Sequence, residues 1–253
     1  MPSVLGVNVS ESSYIELVRQ CTGWAQNRES RTVLFVGMHG LMEAHDDSAL
    51  RAAMNTADLA NPDGMPVVWA LRCMGVPGAS RVYGPDATVE LLRSAEQSVI
   101  PVGFYGADEF TLARLIEEVQ RRYPRIDISF RMSPPFRTLT PEEDEAIVRR
   151  ITDSGVRWLF VGLGCPKQEK WVLAHKDRIP VVLLAVGAAF DFLAGTKPQA
   201  PRWMMRSGLE WAFRLVSEPR RLAGRYLKNI PRFILLLGYQ ILSGKGRPPT
   251  KTK

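Results

Sequence analysis

An acidic residue lies on a predicted turn in the segment Asn61 to Ala70, NPDGMPVVWA, directly before an apolar run. Proline presets φ, aspartate hydrogen-bonds its own backbone and glycine tolerates positive φ, so this composition is typical of a turn. Asp63 therefore has two interpretations. It is either a turn or helix-capping residue, or a general base whose pKa is tuned by apolar walls at the start of a helix. The segment taken alone favours the turn.

A second candidate site follows a predicted strand, in the segment Gly162 to Trp171, GLGCPKQEKW. Lys167 and Gln168 are predicted to lie in the first helical turn, where unpaired backbone N–H groups face an anion. Gly162 and Gly164, at the end of the strand, would leave room for a ligand near the backbone. The alternative is a Gly-Pro turn followed by a solvated helix start. Two hydrogen-bonding side chains at this place favour the ligand site.

A third candidate is Arg81, in the segment RVYGPD, because a guanidinium group can bind a phosphate through two parallel hydrogen bonds. An exposed structural arginine is an equally good interpretation. His39, His45 and His175 do not have the spacing of a metal site, and no DxD motif is present to hold a divalent cation on a nucleotide-sugar. If the substrate carries a diphosphate, Arg and Lys must neutralise it. We therefore expect no metal and no other cofactor.

The chain is long enough, at 253 residues, for one large domain or one domain with an extension, and its charge is unevenly distributed. The net charge is +7, but the segment from Lys197 to Lys253 contains 13 Lys and Arg residues and only two acids, a charge of +11. The preceding residues therefore carry −4. A basic end on an acidic body predicts an anionic partner for that end, and nucleic acid, anionic lipid and a phosphate-bearing substrate all qualify.

Short apolar runs bounded by Gly or Pro predict buried strands, because strands covered on both faces read as continuous apolar segments. The five predicted strands are TVLFVG at 32–37, VIPVGFYG at 99–106, IDISF at 126–130, RWLFVGLG at 157–164 and PVVLLAVG at 180–187. Helical patterns lie at 108–123 and, with a capping box, from Thr140 to about Thr152. The alternation predicts an α/β fold with a Rossmann-like, mostly parallel sheet and flanking helices. The sequence contains neither a GxGxxG nor a P-loop motif.

Residues 200–242 differ in composition from a core at 1–199 and predict a basic, amphipathic helical appendage, followed by a disordered tail at 243–253. Five cations at steps of seven, four, three and four would share one helical face: Arg214, Arg221, Arg225, Lys228 and Arg232. Pro219 and Pro231 are expected to divide the appendage into two or three shorter helices. The apolar stretch at 233–242 is too short to span a bilayer, which needs about 20 residues, but it could lie on a membrane surface.

The three cysteines, Cys21, Cys73 and Cys165, are widely spaced and fit neither a disulfide framework nor a metal site. A reducing compartment is therefore expected. The first residues also lack the basic-then-apolar pattern of a signal peptide. These observations favour a cytoplasmic location.

Five segments, taken together and in this order, resemble the WecG/TagA/CpsF glycosyltransferases, glycosyltransferase family 26: ADLANPDGMPVVWA, RVYGPD, VGLGCPKQEKW, VGAAFDFLAGTKPQAP and GLEWAFRLVSEPRRL. The resemblance implies an inverting transferase that moves a sugar, often N-acetylmannosamine or its uronate, from a UDP-sugar to a sugar on a polyprenyl diphosphate. It also implies peripheral binding to the anionic inner face of the cell membrane, and products that enter teichoic acid, enterobacterial common antigen or exopolysaccharide. A homo-oligomer is left open.

The resemblance further implies roles for individual residues. Asp63 matches the family's proposed catalytic base, Arg81 its pocket arginine and Gln168 its glutamine after Pro-Lys. The family's appendage arginines, thought to close over the active site and contact a diphosphate, match Arg214, Arg221 and Arg225.

One position departs from the family's pattern. Many members carry Thr-x-Asn at the end of the early strand, where this chain has Phe35 and Gly37. Two hydrogen-bonding side chains are therefore missing from the implied pocket, and His39 is the nearby polar candidate. We expect the departure to affect both the donor-sugar preference and the catalytic activity.

Two other functions stay open at the level of the sequence. A nucleic-acid-binding α/β protein could use the basic and aromatic residues of the appendage to contact phosphates and stack on bases. Its basic excess is confined to the appendage, however, while the body is acidic, and we expect no nucleic-acid partner. A non-catalytic relative would carry Phe35 and Gly37 as the marks of a decayed site.

Overall fold

The computed structural model describes residues 1–246, which contain eight strands and twelve helices. Residues 247–253, most of the predicted disordered tail, lie outside the described residues, and residues 243–246 form a turn after the last helix. The strands are β1 (Ser3–Val4), β2 (Val7–Asn8), β3 (Arg31–Val36), β4 (Leu59–Pro62), β5 (Val102–Gly106), β6 (Ile128–Met132), β7 (Trp158–Gly162) and β8 (Val182–Ala185). The helices are α1 (Tyr14–Gln26), α2 (Met38–Asp46), α3 (Ser48–Met54), α4 (Met65–Cys73), α5 (Gly84–Ser98), α6 (Glu109–Arg122), α7 (Pro141–Asp153), α8 (Lys167–Ala174), α9 (Ala189–Leu193), α10 (Arg202–Arg206), α11 (Glu210–Ser217) and α12 (Pro219–Leu242).

Six strands form one sheet in the order β4-β3-β8-β7-β5-β6. The pairs β3–β8, β8–β7, β7–β5 and β5–β6 are all parallel. All five strands predicted from the sequence lie in this sheet, and the prediction of an α/β fold with a mostly parallel sheet and flanking helices is confirmed. The sequence analysis missed β4, which has only four residues and ends in Pro62, and the two-residue strands β1 and β2, which pair antiparallel.

The capping box predicted at the start of α7 is also present. The Thr140 hydroxyl accepts a hydrogen bond from the backbone N–H of Glu143, and the Glu143 carboxylate accepts one from the backbone N–H of Thr140. Pro141, the first helical residue, has no N–H to leave unpaired. The helix therefore begins at the residue that its local sequence dictates.

The chain divides into two compact units. The first unit comprises residues 1–12, 35–83 and those from Pro198 onward, and the second comprises residues 13–34 and 84–197. In the core of the second unit the rings of Phe104 and Phe160 stack with centroids 5.4 Å apart, and Phe190 meets Phe104 edge-on at 5.7 Å. Such aromatic packing stabilises the central strands beyond the burial of area alone.

The appendage folds as three helices, α10, α11 and α12. Pro219 occupies the first turn of α12, where the missing N–H costs nothing. Pro231 lies inside the same continuous helix, so the prediction that it interrupts the helix is wrong. Leu222 and Phe233, on either side of Pro231, are both buried, and this packing offsets the hydrogen bond that the proline cannot make. Within residues 1–246 no helix is both long and apolar enough to cross a membrane.

The C-terminal end of α12 is tied to the N-terminal hairpin by the buried side chain of Gln240. Its Oε1 accepts a hydrogen bond from the backbone N–H of Leu5 at 2.8 Å, and its Nε2 donates to the carbonyl of Ser3 at 2.7 Å. Burial of an amide is tolerated only when its polar atoms are paired in this way. The orientation of α12 within the first unit is therefore fixed at its far end.

Candidate active site

Asp63 lies in the first unit between β4 and α4, and its side chain is half-buried. Its backbone N–H donates to the carbonyl of Val36 at 3.0 Å, and its own carbonyl accepts a hydrogen bond from Nε of Arg81. The N-cap residue of α4 is Gly64, so Asp63 precedes the cap. The backbone of Asp63 is thus held on both sides, by the end of β3 and by Arg81.

The residue at position 37 bears directly on the Asp63 carboxylate. Oδ2 of Asp63 lies 3.7 Å from the point that a Cβ on Gly37 would occupy. A longer side chain at this position would lie directly against the carboxylate. The glycine therefore removes a neighbour of Asp63, in the place where the resemblance leads us to expect an asparagine.

Arg81 forms an ion pair with Glu210, the first residue of α11, within the same unit. Its Nη2 lies 2.6 Å from Oε2 of Glu210, and both side chains are only 14% exposed. The guanidinium carbon lies 4.0 Å from the centroid of the Tyr83 ring, whose hydroxyl donates to Oε1 of Glu210 at 3.1 Å. One guanidinium group therefore links the Asp63 backbone, an aromatic ring and the appendage.

The charges in this cluster act on one another. Burial by itself lowers the pKa of Arg81. The carboxylates of Asp63 and Glu210 together have the larger, opposite effect, so the pKa lies above its ordinary value and Arg81 stays cationic. Burial, together with the charges of Glu210 and Asp63, raises the pKa of Tyr83, so its hydroxyl remains a hydrogen-bond donor. Asp63 thus shares its electrostatic environment with a permanent cation and a neutral phenol.

A cationic cluster, defined by Arg214 of α11 and by Arg221 and Arg225 of α12, acts electrostatically on His39 of α2. Burial lowers the pKa of His39, and the charges of all three arginines lower it further, against the opposing effect of Glu43. The structure therefore brings together His39 and the three appendage arginines that the sequence singled out.

Gln168 is buried at the start of α8, and its amide is engaged inside the second unit. Oε1 accepts from the backbone N–H of Gly164 at 3.1 Å, and Nε2 donates to the carbonyl of Ala185 at 3.1 Å and to the Glu169 carboxylate at 3.2 Å. The side chain joins the loop after β7 to the end of β8. The geometry gives Gln168 a positioning role for these two strand ends.

The two glycines at the end of β7 have structural reasons of their own. A Cβ on Gly162 would lie 2.6 Å from the ring of Phe190, so only glycine fits against that ring. Gly164 has φ of +80°, a conformation that L side chains rarely adopt, and it presents its N–H to Gln168. Both positions shape the strand end whether or not a ligand is near.

A cavity of about 500 Å³ lies in the second unit beside the loops that follow β5, β6 and β7. Its lining includes Tyr105, Phe136 and Trp171, together with Lys167. Nε1 of Trp171 is buried and, within the part of the chain that the structure describes, makes no hydrogen bond. The ring of Trp171 stacks on His175, with centroids 4.0 Å apart, and meets Tyr105 at a tilt of 34°, with centroids 4.6 Å apart. Cavities of this size with an aromatic lining and few polar groups are typical of small-molecule sites.

The predicted site residues therefore fall into two groups. The first unit brings together Asp63, Arg81, His39 and the cationic cluster, and the second unit holds Gly162, Gly164, Lys167 and Gln168. Among residues 1–246, no three His, Cys, Asp or Glu side chains are grouped so as to hold a metal ion.

Comparison with protein families decides which class of protein carries this arrangement. A sequence model of the glycosyl transferase WecG/TagA/CpsF family matches residues 2–247, nearly the whole chain. The chain belongs to this family. The resemblance inferred from five segments is confirmed, as is the prediction of a sugar-transferring enzyme.

Two relatives of this glycosyltransferase carry the same name, N-acetylglucosaminyldiphosphoundecaprenol N-acetyl-beta-D-mannosaminyltransferase. The one from Bacillus spizizenii is 32% identical over 193 residues, which cover 76% of this chain and 72% of the relative. The one from Staphylococcus aureus strain MW2 is 29% identical over 245 residues, which cover 96% of this chain and 92% of the relative. The similarity therefore includes both the sheet and the appendage.

Sequence reasoning missed several residues of the transferase's candidate site. Glu210 is one of only two acids in the basic segment after Lys197, and this isolation was a usable signal for a buried ion pair. Tyr83 lies two residues from Arg81, but nothing in the sequence shows that its ring lies under the guanidinium group. Trp171 is the last residue of the segment that contains Gln168, and only the cavity distinguishes it from a core residue.

The buried pair gives the first prediction. Replacing Glu210 by Gln leaves the Arg81 charge poorly compensated, so we expect the variant to lose about 3 kcal/mol of unfolding free energy. In a double-mutant cycle, Arg81→Gln combined with Glu210→Gln should cost little more than either change alone. Denaturant unfolding measures each value.

The matched control for this cycle is the exposed pair of Arg93 and Glu90, whose side chains are 54% and 40% exposed. Its coupling should stay below about 1 kcal/mol. If the Arg81–Glu210 coupling were equally small, the pair would not hold this site together.

Proposed function

We propose that the protein transfers N-acetylmannosamine, or a related hexose or uronate, from a UDP-sugar to N-acetylglucosamine on a polyprenyl diphosphate. The names of the two relatives carry this proposal, because they specify a mannosaminyl group and an acceptor with a diphosphate and a lipid. A cationic cluster close to His39 and a half-buried acid beside Arg81 suit such substrates. The product would enter a cell-surface polysaccharide or teichoic acid.

In the proposed reaction, Asp63 is the general base. Its carboxylate takes the proton of the acceptor hydroxyl as that oxygen attacks the anomeric carbon. The new bond joins the acceptor oxygen to the anomeric carbon, and the bond to the diphosphate oxygen breaks on the opposite face, so UDP leaves with inversion of configuration. The hydrogen bond from Arg81 to the carbonyl of Asp63 supports this role, because it fixes the backbone that carries the base.

We assign the negative charge of the diphosphate to the cationic cluster. Arg214 and Arg225 contribute to the positive potential at His39, as does Arg221, which also pairs with Glu218 at 2.6 Å. Preorganised cations of this kind stabilise charge that grows on a leaving group. The reaction is therefore proposed to need no metal ion. Arg81, already paired with Glu210, would act mainly by positioning Asp63 and α11.

The acceptor lipid requires the protein to meet a membrane, and α12 offers a suitable surface. Large apolar side chains, 62–90% exposed, recur along it at steps of seven, one, four and three, and therefore on one helical face: Leu227, Ile234, Leu235, Tyr239 and Leu242. The opposite face is buried, and Lys228 stands exposed beside the apolar residues. A helix of this kind lies in the plane of an anionic membrane. We propose peripheral binding at its cytoplasmic face.

We propose that the cavity of the second unit, considered by itself, binds a planar heteroaromatic group such as a nucleobase. A nucleobase is planar and carries hydrogen-bond acceptors at its edge. Phe136 offers an exposed ring, and the buried N–H of Trp171 offers a donor that lacks a partner within the described residues. Lys167 adds a positive charge to the same lining.

The base assignment predicts the effect of Asp63→Asn. The amide keeps the size of the side chain but cannot take the proton, so kcat should fall by about 10²–10⁴ while UDP binding is retained. Turnover of UDP-N-acetylmannosamine with a lipid-linked N-acetylglucosamine acceptor, scored by product mass, measures the rate, and calorimetry measures UDP binding. Asp153→Asn, an exposed change in α7, is the control. A variant that kept near-normal kcat would remove Asp63 from this role.

The membrane assignment predicts that Leu227, Ile234 and Leu235, changed together to Ser, release the protein from vesicles. The three side chains lose most of the apolar area that a membrane would cover, so the partition coefficient should fall at least about tenfold. Sedimentation with phosphatidylglycerol vesicles measures it. Phe110→Ser, which removes an equally exposed ring from α6, should leave binding unchanged. Equal sedimentation of the triple variant and the wild type would contradict the assignment.

The cavity assignment predicts that Trp171→Phe weakens the binding of uridine, measured by calorimetry. The change keeps an aromatic ring but removes one hydrogen-bond donor, a loss of about 2- to 12-fold in affinity. Trp158→Phe is the matched control, because the indole N–H of Trp158 donates to the carbonyl of Cys21 in the core. That control should lower stability without changing the affinity for uridine. Unchanged uridine affinity in Trp171→Phe would contradict the assignment.

A further inference from the structure

We propose that His39 takes up a proton when a diphosphate binds to the cationic cluster, so that this histidine is a cation of the site only while the anion is bound. The inference rests on the proposed function, which supplies the diphosphate. It assigns to that function a role for His39 and the uptake of a proton. The similarity to the family implies neither of these.

The position of His39 gives it access to the site but no settled partner. It is the second residue of α2, two positions after the N-cap Gly37, and its side chain is 21% exposed. Nδ1 is buried and makes no hydrogen bond within residues 1–246. Oε1 of Glu43 is 3.5 Å from Nδ1, a distance for an ion pair rather than a hydrogen bond. Buried polar atoms usually have a hydrogen-bond partner, so Nδ1 could bind one that a ligand supplies.

Charges from three helices face this ring. Glu43 lies one turn further along α2, Arg214 comes from α11, and Arg221 and Arg225 come from α12. Helix α12 is held to α2 by a bidentate pair between Arg232 and Asp46, with distances of 2.6 and 3.0 Å. Arg221 and Arg225 therefore lie on a helix that is tied to α2, and Arg221 also pairs with Glu218.

This arrangement favours the neutral form of His39. Burial lowers the pKa of His39, and Arg225, Arg214 and Arg221 lower it further, while Glu43 only partly compensates. The neutral ring therefore predominates at pH 7. A protonated ring would add a further positive charge beside the three arginines, of which Arg221 pairs with Glu218.

A bound diphosphate reverses this balance. An opposite charge at about 4–6 Å typically raises the pKa of a cationic acid by about one to three. The anion also neutralises the arginines that held the pKa down. Between the low pKa of the free site and the higher pKa of the bound site, binding takes up a proton, so affinity rises as pH falls through that window. Above and below the window the dependence disappears, because the ring has the same charge in both states.

The direct experiment follows the His39 ring by NMR with and without UDP. We expect its pKa to rise by at least one when UDP saturates the protein. His45→Asn simplifies the spectrum and serves as a control, because His45 lies on the same helix and is not invoked. An unchanged pKa of His39 in the UDP complex would overturn the inference and leave the transferase function standing.

Calorimetry gives a second readout that needs no assignment. UDP binding is measured at pH 7 in two buffers with different ionisation enthalpies, and the difference gives the number of protons exchanged. UDP has its own titrating phosphate, so the quantity of interest is the wild-type value minus that of His39→Asn. We expect the wild type to take up more protons than His39→Asn, and His45→Asn to match the wild type.

The outcomes separate the two proposals. Equal proton counts in the wild type and in a folded His39→Asn variant would exclude proton uptake by His39 and leave the proposed function standing. No UDP binding to the wild type, and no turnover of any UDP-sugar, would overturn the proposed function and with it this inference. Glu43→Gln provides a further check, because removing the one carboxylate should lower the pKa of His39 in the complex and reduce the excess of protons.

Discussion

One largely buried guanidinium group links three parts of the first unit. Arg81 donates to the backbone of Asp63, lies over the ring of Tyr83 and pairs with Glu210 at the start of α11. Buried ion pairs are costly to desolvate and are weak general sources of stability. What this one provides is a unique docking of α11, since a shifted helix would leave a charge buried without its partner. Arg214 lies one turn beyond Glu210 and is placed by the same contact.

Each acid of the appendage forms an ion pair, which its net positive charge does not show. Glu210 and Glu218 are its only carboxylates, and both bind arginines: Arg81 and Arg221, respectively. Glu210 and Glu218 therefore offset part of the positive charge that surrounds α11 and α12. A cationic site for an anion is thus stabilised before the anion arrives.

Helix α12 joins two properties that a lipid-linked substrate requires together. One side is buried through Leu222 and Phe233 and tied at its end by Gln240, while the opposite side exposes a row of apolar residues. The arginines at 221 and 225 lie between these two faces and contribute to the potential at His39. Because one rigid helix carries all three surfaces, contact with a membrane and the arrangement of cations cannot vary independently.

The sequence by itself determined what depends on local pattern. The five long strands, the capping box of α7 and the basic appendage were predictable, because apolar runs, caps and charge counts are properties of neighbouring residues. Five segments in order also sufficed to identify the family. The tertiary structure decided the rest. It showed that Pro231 stays inside a helix because its neighbours are buried, that Arg81 is paired with a residue 129 positions away, and that Gln168 points into its own unit. These facts depend on contacts between distant segments, and no periodic pattern in the sequence indicates such contacts.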